Sequence, residues 1–128
     1  MDPETKCAQT ATPGDPANTV FGKIIRGEIK SDFIYEDDKC VAFHDLNKQA
    51  PVHILIIPKT PISQMSTASD EHKEILGHLL IVAKKLAETE TDGNGFRLVI
   101  NDGKNGGQSV YYIHVHLLAN RQMTWPPG

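Results

Sequence analysis

At 128 residues the chain suits one domain and is long enough to bury a core without help from a metal or disulfide. Its net charge is −3, with 23% of residues charged and no basic cluster, which argues against nucleic acid or a membrane surface as partner. No apolar run approaches the ~20 residues of a membrane helix. Cys7 and Cys40 form neither a disulfide framework nor a Cys-x-x-Cys metal knuckle, and the polar N-terminus lacks a signal-peptide core. The expected location is therefore a reducing compartment, the cytoplasm or nucleus.

Residues 1–18 hold three prolines and almost no large apolar side chain, and read as a flexible arm. The expected domain covers residues 19–128. Asn18-Thr19 offers an N-cap for a short helix, Val20 to Arg26, which Gly27 stops. Phe21, Ile24 and Ile25 give that helix an apolar side suited to core packing. Phe33 to Glu36 and Val41 to His44 read as strands joined by the turn Asp37-Asp38-Lys39. Asp45 ends the second strand, where an aspartate is ordinarily a turn residue, although its carboxylate can also accept from a vicinal diol.

Gln49 to Val52 is a connector. His53 to Pro58 is a continuous aliphatic run, expected as a central strand buried on both faces and ended by Pro58. Ser69 to about Thr91 carries apolar residues at 3–4 residue spacing (Leu76, Leu79, Leu80, Ala83, Leu86) and predicts one long helix covering the sheet. His72 and His78 lie six apart on it, so they do not share a face; they read as surface or boundary residues. Phe96 to Asn101 is a further strand, with Asn101 starting a turn. The whole predicts an α+β domain: an antiparallel sheet of about five strands with one long and one short helix.

The chemistry concentrates in Asn105 to Met123. Gly106-Gly107-Gln108-Ser109 is small and polar, as an anion-binding loop needs. Tyr111 to Leu118 then alternates as a strand does. Tyr112, His114 and His116 fall on one face; Ile113, Val115 and Leu117 fall on the other. Neutral imidazoles behind a glycine-serine loop suit attack on phosphorus, with donors holding the oxygens while one histidine attacks. A half-buried strand with merely solvated histidines is the plainer reading.

From about Val20 to the last residue the chain resembles the histidine triad (HIT) superfamily, in its nucleotide-binding (HINT) branch. Tyr112-Ile113-His114-Val115-His116-Leu117-Leu118 stands where the family has His-φ-His-φ-His-φ-φ, φ being apolar. Ala42-Phe43-His44-Asp45, Gln49-Ala50-Pro51, Ile57-Pro58-Lys59, Gly106 to Tyr111, Arg121-Gln122-Met123 and Trp125-Pro126-Pro127-Gly128 extend the match. One departure is plain: the first triad histidine is Tyr112.

The resemblance implies a homodimer with one sheet continued across its two-fold axis. It implies a purine slot at Phe21 and Ile24 with Phe43 and His44 beside it, ribose contacts at Asp45, and a donor at Asn101. Gly107, Gln108, Ser109 and His116 fall around the phosphate, with His53 beside the triad. The tail 122–128 would carry Trp125, the only tryptophan, toward the partner's active site. The implied activity is hydrolysis of a purine nucleoside phosphoramidate. His114 attacks, a covalent nucleotidyl-histidine forms, and water releases AMP or GMP with no metal or cofactor. In the family a backbone carbonyl of the triad strand holds the nucleophile's other nitrogen, and a backbone group survives a His-to-Tyr change. Three alternatives stay open: a nucleotide-binding protein with little turnover because of Tyr112, a zinc site on His53, His114 and His116, and a protein acting through its dimer surface.

Overall fold

A computed structural model describes residues 1–128. Five strands form one antiparallel sheet: β1 (Tyr35–Glu36), β2 (Cys40–His44), β3 (Val52–Pro58), β4 (Phe96–Val99) and β5 (Val115–Ala119). Their spatial order is β1-β2-β3-β5-β4, so the aliphatic strand β3 is central, as its composition requires. Three helices accompany the sheet: α1 (Pro3–Thr10), α2 (Val20–Ile25) and α3 (Lys73–Glu90).

Strand alternation sorts the core into two layers. Cys40, Ala42, Ile54, Ile56, Val115 and Leu117 face α3, which contributes Leu79, Val82, Ala83, Leu86 and Ala87. Val41, Phe43, Leu55, Ile57 and Tyr112 face the other way, onto Phe21 and Ile24 of α2. The site lies on the α2 side of the sheet.

Local signals act largely as expected. The Thr19 side chain accepts from the Gly22 amide and opens α2, and Gly27, at φ +78°, closes it. The long helix begins one turn later than its spacing predicts. Asp70 to His72 form a 3-10 turn, closed when the Ser69 amide donates to His72 Nδ1 at 3.0 Å. His72 thus caps a helix. His78 is a tether: it sits 2.6 Å from Asp37 Oδ2, which also accepts from the Tyr35 hydroxyl at 2.8 Å. The other Asp37 oxygen accepts from the Lys39 and Cys40 amides. Burial pushes the Asp37 carboxyl up, but these donors together hold it well below the usual carboxylate range.

Three expectations change. Within the N-terminal arm, residues 3–10 are helical because Asp2 caps the Thr5 amide and Pro3 stands in the first turn, where its missing N–H costs nothing. The fourth strand stops at Val99, short of Asn101. The histidine strand starts as a ladder only at Val115 rather than Tyr111. In the β3–β5 register Ile113 falls opposite Pro58, which has no N–H for the Ile113 carbonyl and whose own carbonyl accepts from the Tyr112 hydroxyl. The Ile113 amide donates to Ile62 O, at 2.7 Å.

Ile56 has no exposed surface and lies between β5 and α3. Ile56→Ala should cost about 2–5 kcal/mol of unfolding free energy, read as a lowered urea midpoint with an unchanged m-value.

Candidate active site

A cavity of about 550 Å³ opens on the α2 face of the sheet. Val20, Phe21 and Ile24 of α2 form one apolar wall, Phe43 and Leu55 of β2 and β3 its back, and His44 and Asp45 its rim. Ser109, His114 and His116 close the far end. Of the residues singled out from sequence, eight line this space: Phe21, Ile24, Phe43, His44, Asp45, Ser109, His114 and His116. A second cavity, about 410 Å³ beside Arg97, Asn120 and Arg121, contains no histidine.

His114 is buried, with its ring 5.0 Å edge-on from Phe21. Its Nδ1 lies 2.6 Å from the Tyr112 carbonyl oxygen. A carbonyl only accepts, so Nδ1 carries the proton and Nε2 keeps its lone pair. Burial pulls the ring's pKa down; the Tyr112 carbonyl opposes this only in part. His114 is therefore neutral, oriented and basic at one nitrogen.

A second chain of hydrogen bonds sets the other two imidazoles. The Gln49 amide donates to His53 Nδ1 at 3.0 Å, so neutral His53 is protonated at Nε2. That nitrogen lies 2.9 Å from His116 Nδ1 and 3.4 Å from Asp45 Oδ2. His116 Nδ1 accepts, which places the remaining proton on His116 Nε2. No group of the chain receives that N–H. His116 thus offers the cavity a donor, while His53, outside the cavity lining, sets which nitrogen carries it. Burial lowers the His53 pKa and pushes His116 down to about 3, with help from its two histidine neighbours.

Tyr112 contributes its backbone, not its side chain. The phenol has no exposed surface, and its hydroxyl donates to the Pro58 carbonyl. Burial pushes its pKa up. It packs in the α2-side core layer and does not line the cavity.

The glycine loop works differently from its sequence reading. The Gly107 amide donates to Lys104 O at 3.1 Å and the Gln108 amide to Gly103 O at 3.0 Å, so neither is free for an anion. Gln108 is buried, its amide side chain bonded to the Gly103 amide and to the Ser63 and Val110 carbonyls. It pins the loop. Any Cβ on Gly106 would collide with the Asp102 carbonyl, and Gly107 sits at φ +82°, so both glycines shape the turn that presents Ser109. Asn101 Nδ2 reaches Gly107 O at 3.5 Å, a loop contact away from the cavity. Asp45 caps the Asn47 amide through Oδ1 at 2.9 Å, as a turn residue does, and also lines the cavity. Trp125 is 82% exposed and meets no part of its own chain's site.

Among the lining residues that the sequence did not single out, Glu4 bonds directly to a candidate site residue. Its carboxylate accepts from Ser109 Oγ at 2.7 Å and from Asn47 Nδ2 at 3.2 Å. The only sequence signal was Asp2-Pro3, which announces a helix start but not where the helix packs.

Asp45, His53 and His116 have potential ligand atoms within 4.8 Å of one another, whereas His114 stands outside that group. They do not fit zinc as they stand. A metal on His53 Nε2 would move the ring proton to Nδ1, where it would face the Gln49 N–H.

A family model described as HIT domain matches residues 26–123. A protein of Arabidopsis thaliana named adenylylsulfatase HINT1 is 52% identical over 130 aligned positions, covering 100% of this chain and 88% of that protein. The 14 kDa zinc-binding protein of Zea mays is 56% identical over 116 positions, covering 89% and 91%. The crystal structure of a HIT family hydrolase from Legionella pneumophila Philadelphia 1 matches with a TM-score of 0.83 and 50% identity, covering 87% of this chain and 100% of that one.

The lowered histidine pKa values fix a sign. Neutral His116 favours the folded state above its unfolded pKa near 6.5, and that contribution is lost as pH falls toward about 3. Between about pH 6 and about pH 4, unfolding free energy should fall more steeply in the parent than in His116→Asn, by about 1.4 kcal/mol per pH unit. Urea titrations at stepped pH check this.

Proposed function

This chain belongs to the HIT domain family, and from that premise we propose that it is a hydrolase of purine nucleoside 5′-phosphoramidates, releasing AMP or GMP and an amine. The observation that carries the reading is the Tyr112 carbonyl on His114 Nδ1, which leaves Nε2 as a free nucleophile at the end of a cavity with an apolar wall.

The purine lies between Phe21, Ile24 and Phe43, with the ribose hydroxyls toward Asp45. His114 Nε2 attacks phosphorus. The P–N bond to the amine breaks, and the departing nitrogen takes the bonding pair and a proton from solvent water. The intermediate holds the nucleotidyl group on Nε2. Water then attacks phosphorus from the vacated side and gives up a proton to solvent, and the P–Nε2 bonding pair returns to the imidazole. The Ser109 hydroxyl and the His116 Nε2–H donate to the phosphoryl oxygens as their charge grows. Asn101, Gly107 and Gln108 act by shaping the loop, and His53 by holding the His116 tautomer. The chain's residues supply each role, so the mechanism calls on no metal or cofactor.

The Arabidopsis relative's name supports a second substrate at the same site, an adenylyl sulfate, which shares the nucleotidyl half and differs only in the leaving group. The interaction-protein reading lacks a supporting observation of this kind. We place the protein in the cytoplasm or nucleus, with Cys7 and Cys40 as free thiols; no helix is long and apolar enough to cross a membrane. A homodimer formed along β4 is part of the proposal. That strand is a sheet edge, and Phe96 on it is 45% exposed. Trp125 would then find its contacts on the partner.

Hydrolysis of a fluorogenic adenosine phosphoramidate tests the reading. His114→Ala should lower kcat/KM by about 10³-fold or more. Tyr112→His should change it by less than about tenfold, because the group holding Nδ1 is backbone. Retained turnover in His114→Ala would remove the nucleophile. A gain of about a hundredfold in Tyr112→His would give the first triad side chain a part in proton transfer and favour the weak-turnover alternative.

A further inference from the structure

We infer that α1 is an autoinhibitory strap, in which the Glu4 carboxylate occupies the place of a substrate's anionic phosphoryl oxygen on Ser109. This deepens the proposed nucleotide site and rests on that reading. Helix α1 precedes residues 26–123, which the family model matches, so that match assigns it nothing.

Glu4 lines the same cavity as His114 and His116. Its two oxygens join two loops: Oε2 accepts from the Ser109 hydroxyl at 2.7 Å, and Oε1 accepts from Asn47 Nδ2 at 3.2 Å. A carboxylate and a phosphoryl group present the same chemistry to a hydroxyl donor, namely anionic acceptor oxygens. Ser109 has one hydroxyl proton and cannot donate it to both. Like charges also oppose their presence together in one partly enclosed space.

The strap is built to yield. Both Glu4 hydrogen bonds are exposed, so each is weak. Helix α1 spans only eight residues, is capped within itself by Asp2, and buries one side chain, Ala8. It can therefore leave as a unit when a phosphoryl anion claims Ser109. A site competent only with the strap open binds more weakly in proportion to its open fraction.

Calorimetric titration of the parent and Glu4→Ala with AMP and with adenosine tests this. The variant should bind AMP about threefold to tenfold more tightly and bind adenosine unchanged, since the conflict is with the phosphate. Amide hydrogen exchange over residues 3–10 of the parent should speed up under saturating AMP. An unchanged or weaker AMP affinity in Glu4→Ala, with the parent binding AMP, overturns the inference and leaves the nucleotide reading standing. Equal tightening toward adenosine also overturns it, because α1 would then be a steric cover. Absence of AMP binding in both proteins overturns the inference and the nucleotide reading together.

Discussion

The site depends on the hydrogen bond between His114 Nδ1 and the Tyr112 carbonyl. A side chain two residues on can take that carbonyl only because the strand ladder does not. By strand parity the Tyr112 carbonyl points to the β4 side of the histidine strand. In the β4–β5 register Val99, where β4 ends, pairs with His116, so that ladder stops short of Tyr112. The carbonyl is left to accept from His114 Nδ1 and fixes the tautomer of His114. Where the edge strand ends thus bears on which nitrogen of His114 is bare.

Burial does the rest of the electrostatic work. Three imidazoles lie together with no positive charge among them, because desolvation holds each neutral. Neutral rings can relay hydrogen-bond direction: from the Gln49 amide through His53 to His116, the lone pairs and protons follow in order and end on an unpartnered N–H. The same order sets these residues against a zinc ion. The bare nitrogen of His114, the proposed nucleophile, and the N–H donor of His116 therefore come from the same residue type, distinguished only by what each ring's other nitrogen meets.

Much of this was legible from sequence. The period-2 alternation of Tyr112, His114 and His116 gave the site face, and the unbroken run from Ile54 to Ile57 gave the central strand. The apolar wall at Phe21 and Ile24 followed from the resemblance. What escaped depends on contacts between distant residues. Gln108 is polar and sits in a glycine loop, so it reads as a ligand contact. Only the fold shows that the Gly103, Ser63 and Val110 backbone groups surround its amide. The Gly107 amide looked free because local sequence does not reveal its bond to Lys104. Glu4 was unreadable because its contact with Ser109 spans 105 residues. His72 as a cap and His78 as a tether are the same kind of case: an imidazole's role is set by its neighbour.

Everything at the site turns on the His114 tautomer, and nitrogen-15 spectroscopy of the imidazole rings at neutral pH measures it directly. The prediction is a neutral ring at His114, protonated at Nδ1 and bare at Nε2. A proton on Nε2, or on both nitrogens, would leave no lone pair facing the cavity and would contradict the account.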